Sequence, residues 1–86
     1  MADLKELRKD IDSIDRVLVA YLSRRLEVVR EIGKYKEERK LAVYDPAREE
    51  EKIKAIRAQA GGEAADYCEA VFRAVLQASR EAQEPV

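Results

Sequence analysis

Residues 4–36 read LKELRKDIDSIDRVLVAYLSRRLEVVREIGKYK, and the spacing of the apolar positions in this stretch decides the fold. Leu4, Leu7, Ile11, Ile14, Leu18, Tyr21, Val28, Ile32 and Tyr35 follow the three- and four-residue rhythm of a single helical face. No proline interrupts the run from Asp3 to Lys40, and Gly33 is its one glycine. The pattern predicts one amphipathic helix over about 3–40, roughly 55 Å long at 1.5 Å per residue. Gly33 costs about 1 kcal/mol against alanine, which a helix of this length tolerates.

Downstream of this helix, Tyr44-Asp45-Pro46 marks a second start. Asp45 suits the capping position, Pro46 suits the first helical position, and Glu49, Glu50 and Glu51 favour the positive end of the helix dipole. This helix is expected over about 46–59, with Ile53, Ile56 and Ala60 facing inward. Gly61-Gly62 breaks the chain, and a third helix is expected over about 63–83. Its apolar set is Tyr67, Cys68, Val71, Phe72, Val75 and Leu76. The fold class is all-α, a single domain over 1–86 built of one long, one short and one medium helix. Val17-Leu18-Val19-Ala20-Tyr21-Leu22 is apolar around the whole circumference, so the middle of the long helix needs cover from several sides. Two short helices are too little for that. A second copy crossing there would supply the rest, so an intertwined homodimeric bundle is expected.

Composition narrows the function. Apolar residues make up 47% and charged residues 41% of the chain, with a formal net charge of −1. Both signs are spread along it without a basic block, so nucleic acid is not an expected partner. No apolar run approaches the ~18 residues of a membrane span, and no secretory signal opens the chain; a cytoplasmic location is expected. The single cysteine, Cys68, excludes an internal disulfide and reads as a small core residue. The sequence holds no histidine, which excludes His-based zinc sites and Ser-His or Cys-His triads.

Polar residues stand where apolar ones belong. The seven-residue series Leu4, Ile11, Leu18, Arg25, Ile32 is broken by an arginine, and a buried guanidinium is costly unless it meets an anion. Lys36 follows about 16 Å further along on nearly the same face. On the second helix Glu49 shares the stripe of Ile53 and Ile56, with Arg48 beside it. On the third, the stripe of Cys68, Phe72 and Val75 continues into Ser79 and Gln83. Each has a bland reading: an arginine snorkelling to solvent, a glutamate stabilising the dipole, a frayed last turn. Their coincidence on three helices argues against it. Fixed cations, one carboxylate, one hydroxyl and one amide suit the positioning and electrostatic stabilisation of a small anion rather than nucleophilic attack.

In order and spacing, Leu7-Arg8-Lys9-Asp10-Ile11-Asp12-Ser13-Ile14-Asp15, Leu22-Ser23-Arg24-Arg25, Ile32-Gly33-Lys34-Tyr35-Lys36, Tyr44-Asp45-Pro46-Ala47-Arg48-Glu49-Glu50, and Ser79 with Gln83 resemble the all-helical, AroQ-type chorismate mutases. The resemblance covers essentially the whole chain and implies conversion of chorismate to prephenate, without cofactor or metal. It implies that Arg25, Arg48 and Ser79, joined by Arg8 of a second subunit, hold the substrate carboxylates. By the same resemblance, Lys36 and Gln83 would donate to the ether oxygen, and Glu49 with the backbone near Asp45 would bind the ring hydroxyl. The short connection Ala60-Gly61-Gly62-Glu63 departs from the family pattern and leaves the start of the third helix open. Geometry agrees on Arg8: a straight helix rises about 42 Å from Arg8 to Lys36, so one substrate cannot meet both from one chain. An isochorismate-pyruvate lyase on the same scaffold, a noncatalytic helical dimerisation module, and a mutase that needs an activating partner enzyme stand as alternatives.

Overall fold

A computed structural model describes residues 3–85. Three helices run in order, α1 over Leu4–Glu38, α2 over Pro46–Ala60 and α3 over Ala64–Gln83, and no strand occurs among the described residues. The expected helices are all present, with ends that differ by one or two residues.

Local chemistry sets those ends. Asp3 caps α1 by accepting from the Glu6 N–H at 2.9 Å. At the other end, Lys40 adopts a left-handed backbone with φ 55°. The Leu41 N–H then bonds the Lys36 carbonyl at 2.8 Å, and the Lys40 N–H bonds that of Glu37 at 3.2 Å. This Schellman-type closure stops α1 at Glu38, short of the expected Lys40, and does so without the usual glycine. Asp45 caps α2 through the Arg48 N–H at 3.1 Å, with Pro46 in the first turn. Gly61 and Gly62, at φ 67° and 48°, separate α2 from α3 in a conformation that L side chains rarely adopt.

α3 packs against both α1 and α2, whereas α1 and α2 make no close backbone approach to each other. The small core comprises Val29, Ile53, Ile56, Ala65 and Leu76, with Gly33 also buried. Every one of these lies at or beyond residue 29. Ion pairs tie α2 to α3 along their outer edge: Glu50 to Arg73 at 3.1 Å, Arg73 to Glu69 at 2.9 Å, Glu69 to Arg57 at 2.9 Å, and Arg57 to Asp66 at 2.8 Å.

The first half of α1 presents a different surface. Leu4, Leu7, Ile11, Ile14, Val17, Leu18, Val19, Tyr21 and Leu22 are all exposed. Tyr67 and Val71, expected in the apolar set of α3, are also exposed; Val71 borders an apolar groove with Leu22, Leu26, Val29 and Val75. The chain measures 55 × 27 × 15 Å with a radius of gyration of 16.0 Å, against roughly 12 Å for a compact domain of this length.

Candidate active site

α1, α3 and the start of α2 converge on one cavity of about 340 Å³. Arg25 and Lys36 reach it from α1, Val43 and Asp45 from the connection, Arg48, Glu49 and Lys52 from α2, and Ser79, Arg80 and Gln83 from α3. Val29, Ile32 and Leu76 form its apolar wall. Arg25, Lys36, Glu49, Ser79, Arg80 and Gln83 are all half-buried.

Several of these polar side chains are held by defined partners. The Arg25 guanidinium donates to the Ser79 hydroxyl. That hydroxyl in turn donates to the Val75 carbonyl at 2.7 Å, so the serine is fixed by its own helix. Lys36 Nζ donates to the Val43 carbonyl at 2.9 Å, which ties the end of α1 to the connection. An ammonium has three N–H groups, so two remain for a ligand. Gln83 Nε2 donates to the Ser79 carbonyl at 3.2 Å, leaving its second N–H available. Gln83 Oε1 is buried and has no hydrogen-bond partner.

Gly33 explains how Gln83 comes to lie here. A Cβ at Gly33 would sit 2.9 Å from the Gln83 carbonyl oxygen and 3.0 Å from its Cα. These are backbone atoms that cannot swing aside, so only glycine lets the end of α3 approach α1 this closely. The sequence reading of Gly33 as a tolerated cost is thereby revised: its missing side chain makes room for Gln83.

Arg80 and Lys52 were not among the expected site residues. Arg80 donates to the Glu49 carboxylate, and its guanidinium carbon lies 4.9 Å from the centroid of the Tyr44 ring. The hydrogen bond to Glu49 holds the Arg80 guanidinium above its ordinary pKa. A sequence signal existed, since Phe72, Leu76 and Arg80 are spaced four apart on one helical row, the same kind of interruption that singled out Arg25.

Seven of the eight residues expected from sequence line this cavity, namely Arg25, Lys36, Asp45, Arg48, Glu49, Ser79 and Gln83. Asp45 spends its carboxylate on the α2 cap, and the Arg48 side chain is exposed and paired with Glu51 at 3.4 Å. Arg8 is elsewhere, exposed beside Leu4, Lys5, Lys9 and Asp12 near the start of α1. The lining carries five cationic side chains against two carboxylates, a surplus that favours a small ligand with more than one negative charge. Among the described residues, no cluster of His, Cys, Asp or Glu is arranged to hold a metal ion. No described helix is long and apolar enough to cross a membrane.

The family model described as "Chorismate mutase type II" matches residues 7–84. The chain belongs to this family. It is 41% identical over 81 residues to the T-protein of Haemophilus influenzae, a match covering 92% of this chain and 22% of the relative. It is 40% identical over 81 residues to the T-protein of Enterobacter agglomerans, with the same coverage of 92% and 22%. A bifunctional chorismate mutase/prephenate dehydratase of Aquifex aeolicus is 41% identical over 51 residues, which is 59% of this chain and 14% of that one. The chain thus spans about a fifth or less of the length of these relatives. Within the family match lie all eight expected residues, the cavity and the exposed face of α1 from Leu7 onward.

Proposed function

We propose that this chain is a cytoplasmic chorismate mutase that rearranges chorismate to prephenate for phenylalanine and tyrosine synthesis, acting as an intertwined homodimer. The observation that carries the reading is the convergence of Arg25, Lys36, Arg48, Glu49, Ser79 and Gln83 on one cationic cavity, in a chain of the chorismate mutase type II family. The Aquifex relative's name joins this activity to prephenate dehydratase, which consumes the same product.

The reaction is a [3,3] sigmatropic shift. One C–O bond breaks as one C–C bond forms, with no proton or group transferred to the protein. Catalysis then reduces to holding the flexible dianion in its compact, chair-like form and stabilising charge that builds on the ether oxygen. Arg25, Arg48 and Ser79 grip the carboxylates. Lys36 keeps its bond to the Val43 carbonyl and offers a second N–H to the ether oxygen, and Gln83 offers the N–H that Ser79 leaves over. Glu49 and the backbone near Asp45 take the ring hydroxyl. Both ether-oxygen donors are thus anchored before substrate arrives, which spares reorganisation during the reaction.

The homodimer is supported by the uncovered apolar row of α1 and by the position of Arg8. An exposed apolar face of this extent marks an association surface. The apolar groove that includes Leu22, Leu26 and Val71 also contains Arg25 and Ser79, so a second long helix seated there would wall the site and bring its own Arg8 near.

The test is chorismate consumption by the purified chain with identification of products. Prephenate is expected; pyruvate with salicylate from isochorismate would assign the lyase instead. A bicyclic transition-state mimic should raise the melting temperature, whereas a noncatalytic module would not respond. Lys36→Ala is expected to cost on the order of 3 kcal/mol of barrier, falling on kcat rather than KM. A defect confined to KM would remove Lys36 from the ether oxygen.

A further inference from the structure

The Arg80–Glu49 ion pair lies in the cavity, and the mechanism above gives Arg80 no part. Glu49 enters from α2 with a side chain only 19% exposed, and Arg80 enters from α3 with 33% exposed. A carboxylate so far withdrawn from water needs a charged partner, and Arg80 is the cation bonded to it among the described residues. The same guanidinium rests over Tyr44, one residue before the α2 cap, so a single side chain touches α2 and the connection from a third element. Arg80 bonds Glu49 through Oε1, which leaves Oε2 of this cavity-lining carboxylate as a second acceptor. Arg80 also cancels a negative charge that would otherwise face an incoming dianion.

We propose that Arg80 is the positioning residue of this site: it locks the Glu49 carboxylate with one oxygen presented to the ring hydroxyl of the substrate, and holds Tyr44 and the neighbouring backbone in register with it. This rests on the proposed role of Glu49. Arg80 acts through Glu49 rather than on the substrate. Without it the carboxylate can turn toward Arg48 or Lys52, the other cations at this end of the cavity, and the hydroxyl acceptor is misplaced.

A double-mutant cycle on the full chain separates the possibilities, with steady-state kinetics on chorismate for Glu49→Gln, Arg80→Met and the pair together. Arg80→Met alone should lower kcat/KM about tenfold or more, and in the Glu49→Gln background it should change kcat/KM by less than about twofold, because coupled residues are non-additive. Arg80→Lys, which keeps the charge but not the planar fork, should recover part of the loss. A substrate analogue with hydrogen in place of the ring hydroxyl should be handled alike by wild type and Arg80→Met, a result that a general packing defect would not give. Multiplying losses in the double mutant would overturn the proposal by making Arg80 an independent substrate contact. So would a normal Arg80→Met beside an impaired Glu49→Gln. A fully active Glu49→Gln is a separate outcome: it removes the role of Glu49, and the positioning role falls with it. Should Arg80→Met fail to fold, as judged by helicity and melting, the same criteria apply to Arg80→Lys, whose unchanged kinetics would equally overturn the assignment.

Discussion

The two halves of α1 carry the same three- and four-residue apolar rhythm, yet the fold treats them in opposite ways. From Leu4 to Leu22 no residue is buried, and Ile14 and Val19 are each 61% exposed. From Arg25 to Lys36 the helix contributes Val29 and Gly33 to the core and two cations to the cavity. The difference lies in what faces each half, since α3 packs on α1 and every buried residue of α1 falls at or beyond Val29. An amphipathic period states that cover is required and leaves open which chain supplies it. Within one chain only the second half is finished on one side: Val29 and Gly33 are buried there, while Leu26, Val28, Ile32 and Tyr35 stay exposed.

The largest expected effect comes from spoiling the unfinished half. Leu18 lies in the segment that is apolar on all sides and is 48% exposed in the single chain. If a second copy covers it, Leu18→Glu forces a charge into each half of the interface, a cost of about 3 kcal/mol or more per copy. The variant should lose its dimeric mass in sedimentation, lose most of its activity, and melt far below wild type. The wild-type melting temperature should rise with protein concentration, as linkage requires. A Leu18→Glu protein with unchanged mass, melting and turnover would mean that this face is simply solvated.

The two halves can also be mutated separately and recombined. Arg8→Ala damages the first half of α1 and Lys36→Ala the second, and each should be nearly inactive alone. If the proposed dimer shares its sites, a mixed dimer has one site with the intact Lys36 of one copy and the intact Arg8 of the other. Unfolding and refolding equal amounts together should restore about a quarter of wild-type activity, since half the dimers are mixed and each has one sound site. No recovery on mixing would place Arg8 outside the site.

Much of this was legible in the residues. The helix order, the capping role of Asp45 and Pro46, and seven residues that line one cavity followed from spacing, cap chemistry and a family resemblance. The misses have physical causes. Lys40 ends α1 in a left-handed conformation that only a glycine or asparagine would have advertised. Tyr67 and Val71 are exposed in the single chain, because periodicity asks for cover without stating that the chain's own helices supply it. Arg80 sits on a buried row, yet its partner Glu49 is distant in sequence and nothing in composition links them. Gly33 was the most deceptive, because a close approach between backbones leaves no trace in propensity.

Gly33→Ala therefore sharpens the comparison inside the finished half. Helix propensity favours the change by about 1 kcal/mol, while the new methyl group would lie 2.9 Å from the Gln83 carbonyl oxygen. The end of α3 must retreat by several tenths of an ångström, carrying the Gln83 amide with it. A misplacement approaching 1 Å at a catalytic contact can cost up to ~10²-fold in rate, so kcat should fall about ten- to a hundredfold while melting barely moves. Equal losses of stability and rate would mark Gly33 as ordinary packing; an unchanged kcat would show that the close approach has no catalytic use.

The smallest effect expected belongs to the outer edge of the finished half, where α2 and α3 are joined by charge rather than by apolar cover. Glu69 is bonded by Arg73 and by Arg57, and these two guanidinium groups, Arg73 first, hold its carboxyl below the usual carboxylate pKa. A depressed folded-state pKa means that the pair stabilises the protein above the unfolded value of about 4.3 and that this contribution disappears as pH falls through the lower folded value. Glu69→Gln should accordingly melt slightly below wild type at pH 7, and the gap should close under acid conditions. Salt should narrow it as well, because exposed ion pairs are screened. If the gap is instead large and indifferent to both pH and salt, Glu69 holds α2 to α3 by packing rather than by charge.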